Sequence, residues 1–119
     1  SCGGSVRRTA GAQLENLVAC SLLKEVQMKK DVTGENWDLY YLRDKEKREV
    51  DFVVALNRKV DRLIEVKKSE DSVGLGLRYY HQKLKPRESI QLVLELDRPM
   101  EKNGIKILPL APWLAKLRE

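Results

Sequence analysis

The chain has 119 residues, one domain's worth and enough for a single hydrophobic core. Hydrophobic residues make up 42% and charged ones 34%, which excludes a disordered tail, and no apolar run approaches the ~20 residues of a membrane-spanning helix. The balance of 23 Lys+Arg against 18 Asp+Glu gives +5, which keeps a nucleic-acid partner open without naming one.

Residues 1–8, opening Ser1-Cys2-Gly3-Gly4-Ser5, read as a tag remnant or linker, and residues 9–119 as one domain. The chain lacks an initiator Met and reads as a fragment of something longer. Two cysteines are too few for a disulfide scaffold, and no paired Cys/His spacing suggests zinc. Cys20 lies in an apolar stretch and is expected as a buried free thiol. With no signal pattern at the start, a reducing, cytoplasmic setting fits best.

From Thr9 to about Lys30, Leu14, Leu17, Val18, Leu22 and Val26 recur at helical spacing. Thr33-Gly34-Glu35-Asn36 is a loop by its turn residues. Trp37 to Leu42 reads as a strand, Asp44 to Arg48 as a charged turn, and Glu49 to Leu56 as a second strand. Asn57-Arg58-Lys59 turns into a third strand, Val60 to Lys67, which makes an antiparallel meander. Val73, Leu77, Tyr80 and Leu84 give a helix despite Gly74 and Gly76, and Pro86 ends it. Ser89 to Leu96 and Ile105 to Leu108 are strands, and Pro109 to Leu117 a closing helix with Leu110, Trp113, Leu114 and Leu117 inward. The predicted order is α-β-β-β-α-β-β-α, an α/β fold with a mixed central sheet flanked by helices.

Strand alternation puts Glu49, Asp51 and Val53 on one face, Val50, Phe52 and Val54 on the other. Leu63, Glu65 and Lys67 share a face on the next strand. A three-residue turn at Asn57-Arg58-Lys59 sets Leu56 opposite Val60 and therefore Asp51 opposite Glu65, with Lys67 two places on. A two-residue turn would send Asp51 to the other face. Adjacent carboxylates repel unless a cation lies between them. Such an oxygen-rich pair suits Mg²⁺ or Mn²⁺, which neutralises charge on a phosphoryl group, while Lys67 orients the attacking water or stabilises the same charge. These parts suit phosphodiester hydrolysis. An E-x-K triplet, however, arises roughly once by chance in a chain of 11 Glu and 13 Lys, and a plain solvated strand face is the alternative.

Asp51, thirteen residues, then Glu65-Val66-Lys67 resembles the PD-(D/E)xK nuclease pattern on an αβββαβ, restriction-endonuclease-like core. Gly11-Ala12-Gln13-Leu14-Glu15-Asn16, Leu39-Tyr40-Tyr41-Leu42-Arg43-Asp44, Glu49-Val50-Asp51-Phe52-Val53, Ile64-Glu65-Val66-Lys67 and Ile107-Leu108-Pro109-Leu110-Ala111-Pro112-Trp113-Leu114 are together similar to a domain of unknown function. That domain lies C-terminal to the ATPase module of prokaryotic predicted AAA+ superfamily ATPases. The resemblance covers about residues 11 to 115. It implies that Asp51 and Glu65 are metal ligands and Lys67 the catalytic lysine. Glu15 would match the helix-borne acid that joins the metal in some members, or serve as an N-terminal helix acid favoured by the dipole. Val50 stands where the superfamily motif has proline, and no Q-x-x-x-Y arrangement follows. The resemblance also implies a DNA substrate and an ATPase domain in the same or a partner chain. A homodimer is compatible with it.

Arg78, Lys83, Lys85 and Arg87 give +4 over residues 78–87 with no acid among them, and Tyr79, Tyr80 and His81 are interleaved. The basic side chains could contact phosphates and an exposed Tyr could stack on a base; a solvated helix end with Tyr80 in the core is the alternative. His81, the single histidine, reads as a surface residue, because no second His or nucleophile pattern accompanies it. A nuclease domain, a non-catalytic DNA-binding or regulatory module beside an ATPase, and a protein-interaction domain are the three readings left open.

Overall fold

The computed structural model describes residues 10–69 and 72–117; the readings for residues 1–8, Cys2 and Thr9 lie outside them. Helix α1 (Ala10–Thr33) is followed by strands β1 (Trp37–Arg43), β2 (Glu49–Leu56) and β3 (Lys59–Lys67), helix α2 (Leu75–Leu84), strands β4 (Glu88–Val93), β5 (Met100–Lys102) and β6 (Ile105–Pro109), and helix α3 (Leu110–Leu117). The six strands form one mixed sheet in the order β1-β2-β3-β4-β6-β5. β1, β2 and β3 are antiparallel neighbours, as the short turns predict, and α2 carries the chain over to β4, which runs parallel to β3. The fold is α/β, with a helix, a βββ run, then α and β.

α1 buries Val18, Leu22 and Val26, four-residue steps that drift slowly around one face. Leu17 was expected among them but is 41% exposed, because it sits about 100° round the helix from Val18. Cys20 is half-buried on the flank away from Val18, and it is disulfide-bonded rather than a free thiol. The helix runs past Lys30 to Thr33, where Gly34 at φ 72° ends it by donating its N–H to the Lys30 carbonyl at 2.9 Å.

The core has two halves, one on each side of the sheet. α1 and α3 cover Val54, Ile64, Val66, Ile90 and Leu92, whereas α2 covers Val50, Val53 and Leu63. Val50 and Val53 share a side because β2 bulges between them, where the β1 register shifts between Tyr40 and Leu42. Simple alternation along β2 therefore fails around Asp51 and Phe52. Arg62, only 5% exposed, ties β3 to α1 through an ion pair with Glu25 and lies 3.6 Å from Asp61.

The C-terminal third departs from the predicted order. β4 stops at Val93 rather than Leu96, and the Leu94 and Glu95 N–H groups turn back to the Lys67 and Lys68 carbonyls at 3.1 and 2.9 Å. β5 was not foreseen. It pairs with β6 across Asn103-Gly104, both at positive φ (52° and 81°), the two-residue hairpin turn for which Asn-Gly is the strongest short signal. Three residues, two of them charged, left no strand pattern to read. Among the described residues no helix is long and apolar enough to cross a membrane.

Candidate functional site

The turn between β2 and β3 has two residues, not three. Asn57 and Arg58 both lie at positive φ (53° and 69°), and Leu56 pairs with Lys59, Ala55 with Val60. That turn alone would put Asp51 on the wrong face. A bulge then shifts the register, so that Val54 meets Arg62, Val53 meets Leu63 and Phe52 meets Ile64, with Asp61 the extra residue. The pairing ends at Phe52 and Ile64, and just beyond it the Asp51 side chain is hydrogen-bonded to that of Glu65. The expected juxtaposition is present for a reason other than the expected one.

Asp51 accepts the Val66 N–H on Oδ2 at 2.9 Å and is hydrogen-bonded to the Glu65 side chain. Glu65 is 7% exposed and sits on the α2 side of β3, with Lys67 on the same side. Burial, then the charge and hydrogen bond of Asp51, push the Glu65 carboxyl up to about 8, and Lys67 only partly offsets them. At neutral pH the Glu65 carboxyl therefore keeps its proton, a proton a cation can replace. Two carboxylates beside a lysine are a hard, oxygen-donating set, and Mg²⁺ takes one or two carboxylates with water in the remaining positions. Among the described residues no group of three or more His, Cys, Asp or Glu is placed to hold a metal.

α2 begins over this pair. Its N-cap, Gly74, is so close that a Cβ there would stand 3.2 Å from Glu65 Oε2 and 3.8 Å from Lys67 Cε. Gly76 lies tighter still, with a Cβ position 2.1 Å from the Glu49 carbonyl oxygen, so only glycine lets α2 seat on the start of β2. The two glycines that weaken the helix in isolation are what dock it. Gln91 completes the surroundings from β4, where it pairs with Glu65 in register. Sequence reasoning missed Gln91, although a lone amide inside Ile90-Gln91-Leu92-Val93 is the signal of a polar group with a buried task.

Glu15 is exposed on α1, whose apolar face packs on the other side of the sheet from Glu65 and Lys67. The four basic residues do not share a location. Arg78 is exposed in the first turn of α2, its N–H bonded to the Gly74 carbonyl at 3.0 Å. Lys83 donates to the Tyr79 hydroxyl at 3.2 Å, and Lys85, in the left-handed region at φ 48°, caps the far end of α2. Arg87 grips Asp61 with both Nε and Nη2 at 3.0 and 3.1 Å. Tyr80 is in the core and donates to Asp44 at 2.7 Å. His81 is half-buried rather than on the surface, with Nδ1 2.7 Å from the Ser89 hydroxyl and Gly104 against its Nε2. A groove of about 530 Å³ between α1 and α3, lined in part by Met28, Ile90, Trp113 and Leu117, lies on the opposite side of the sheet from the carboxyls.

No curated protein and no solved structure is significantly similar to the chain. A protein-family model does match, described as a domain of unknown function, DUF4143, over residues 10–113. That span takes in α1, the β-meander, α2 and the first half of α3, with Asp51, Glu65, Lys67 and Gln91 all inside it, and the chain belongs to the DUF4143 family.

Proposed function

We propose that the domain is a PD-(D/E)xK-like nuclease module that hydrolyses DNA phosphodiesters with Mg²⁺ or Mn²⁺. The observation that carries this reading is the buried Glu65 carboxyl hydrogen-bonded to Asp51, with Lys67 beside it on the same strand. Asp51 and Glu65 would hold the cation, which when bound polarises a phosphoryl oxygen and lowers the pKa of a water. Lys67 positions the attacking water and balances charge as the P–O bond breaks and the leaving oxygen takes up a proton. Arg78 and the positive end of α2, whose first turn contains no acid, favour a phosphate at the mouth of the site.

A second reading rests on the same residues. Val50 in place of proline, and only two carboxyls brought together among the described residues, suit a non-catalytic DNA-binding or regulatory module beside an ATPase domain. Plasmid, linear and branched DNA incubated with Mg²⁺, Mn²⁺ or EDTA separate the two. The nuclease reading expects metal-dependent cutting that Glu65→Ala and Lys67→Ala each abolish. No cutting by the wild type, or equal cutting by both variants, overturns it. Salt-sensitive DNA binding without cutting then supports the module.

A further inference from the structure

We propose that Gln91 is the positioning residue of the carboxyl site: its amide seats Gly74, and with it the start of α2, on the Glu65 carboxyl and the Lys67 stem. This rests on the metal-site reading above and deepens it.

Gln91 has no exposed surface and lies beside Glu65 in the parallel β3–β4 register. A buried amide is costly unless bonded. Both ends of this one are spent on a single bend: Oε1 accepts the Gly74 N–H at 3.0 Å, and Nε2 donates to the Ser72 carbonyl at 2.8 Å. Two bonds from one rigid, planar group fix both the position and the tilt of the bend relative to β4. The bend brings the backbone close to the carboxyl. An ideal Cβ on Gly74 would stand 3.2 Å from Glu65 Oε2, 3.8 Å from Lys67 Cε and 3.9 Å from Gln91 Oε1. Gly74 has an ordinary φ of −62°, so the position uses the missing Cβ and not glycine's conformational freedom. Glu65 is thereby held between Asp51 and the Gly74 backbone, and the group that sets the distance to that backbone is the Gln91 amide. A purely structural Gln91 would matter to stability alone; a positioning Gln91 also sets how well Glu65 and Asp51 bind a cation.

The test uses Gln91→Leu, which keeps the volume and removes the amide, with the fold checked by circular dichroism. Mn²⁺ titrated without DNA reads the site directly. Affinity is expected to fall by about 10- to 100-fold, the range for partners that orient metal ligands. Amide exchange at Gly74 is expected to speed up relative to Ile64, which reports the sheet. Unchanged Mn²⁺ affinity, or unchanged Gly74 exchange in a folded variant, overturns the proposal. Should Gln91→Leu not fold, Gly74→Ala carries the test. It leaves the Gln91 amide in place but presses a methyl on Glu65, and unaltered Mn²⁺ affinity there is equally fatal. If the wild type binds no Mn²⁺, the metal-site reading fails by itself. Gln91 is then judged on Gly74 exchange and on the Glu65 carboxyl ¹³C resonance at fixed pH, and a resonance that does not move in Gln91→Leu overturns it.

Discussion

Glu65 holds a proton in the fold that the unfolded chain releases. Burial and Asp51 raise its pKa from 4.5 to about 8, so the stabilisation is complete below pH 4.5 and is lost as pH rises through about 8. Across that window the metal-free protein loses stability with rising pH, by at most about 1.4 kcal/mol per pH unit for one proton. Thermal or urea unfolding at pH 5, 7 and 8.5 measures this. Glu65→Gln, which cannot ionise, is expected to flatten the dependence and to be more stable than the wild type at pH 8.5. A variant with the same slope would place the proton elsewhere. Asp44 works in the opposite sense. Although burial opposes it, hydrogen bonds from Tyr80 and Arg48 hold its carboxyl well below the ordinary 3.8, so its contribution stands at neutral pH and is lost on acidification. Gly76 sets a different kind of limit. Alanine there gains about 1 kcal/mol of helix propensity but drives a methyl into the Glu49 backbone. Gly76→Ala is expected to cost about 2–3 kcal/mol net in urea unfolding, and a neutral result would mean that α2 has room to shift.

At the scale of elements, the β2–β3 hairpin brings the site together through two features that offset one another. The two-residue turn moves β3 by one place, and the extra residue Asp61 moves it back before the strands reach Asp51 and Glu65. From sequence, the pairing of the two acids was legible, because side-chain alternation on β3 and the spacing from Asp51 to Glu65 fix it to within one residue. The turn was not. Neither Asn57-Arg58 nor Lys59 declares a positive φ as Asn-Gly does, and a bulge leaves no mark in residue type. The fold class was legible for the stronger reason that α1, β2, β3 and α2 each carry a clear period. The short β5 and the Gln91 contacts were not, since both are set by tertiary neighbours. Arg58 pays for its left-handed conformation at φ 69°. Arg58→Gly is therefore expected to stabilise the hairpin by up to about 1 kcal/mol in urea unfolding, with DNA cleavage unaffected. Destabilisation would mean that the arginine side chain contributes more than its backbone costs.

On the scale of the whole molecule, the βαβ connection separates residues that lie close together in the sequence. α2 starts over Glu65 and Lys67 at the ends of β3 and β4 and finishes at the opposite end, where β4 begins. The run from Arg78 to Arg87 thus starts in the first turn of α2 and continues past its end at Leu84, where Lys85 is the cap and Arg87 lies beyond it. Only its first member lies in the turn of α2 that starts over the carboxyls. Its last is committed to Asp61, in a bidentate pair with the residue that forms the bulge. If DNA lies across the Glu65 end, the four cations cannot contribute equally. Arg78→Ala is expected to weaken binding to a short duplex and to lower the slope of log affinity against log salt by about one phosphate contact. Lys85→Ala and Arg87→Ala are expected to leave both unchanged, and Arg87→Ala to cost no more than about 1 kcal/mol of stability, because its side chain is 61% exposed and screened. Fluorescence anisotropy from 50 to 300 mM salt distinguishes the three variants. Equal losses from Arg78 and Arg87 would show that charge is read along the whole of α2, and would move the nucleic-acid surface away from the carboxyl site.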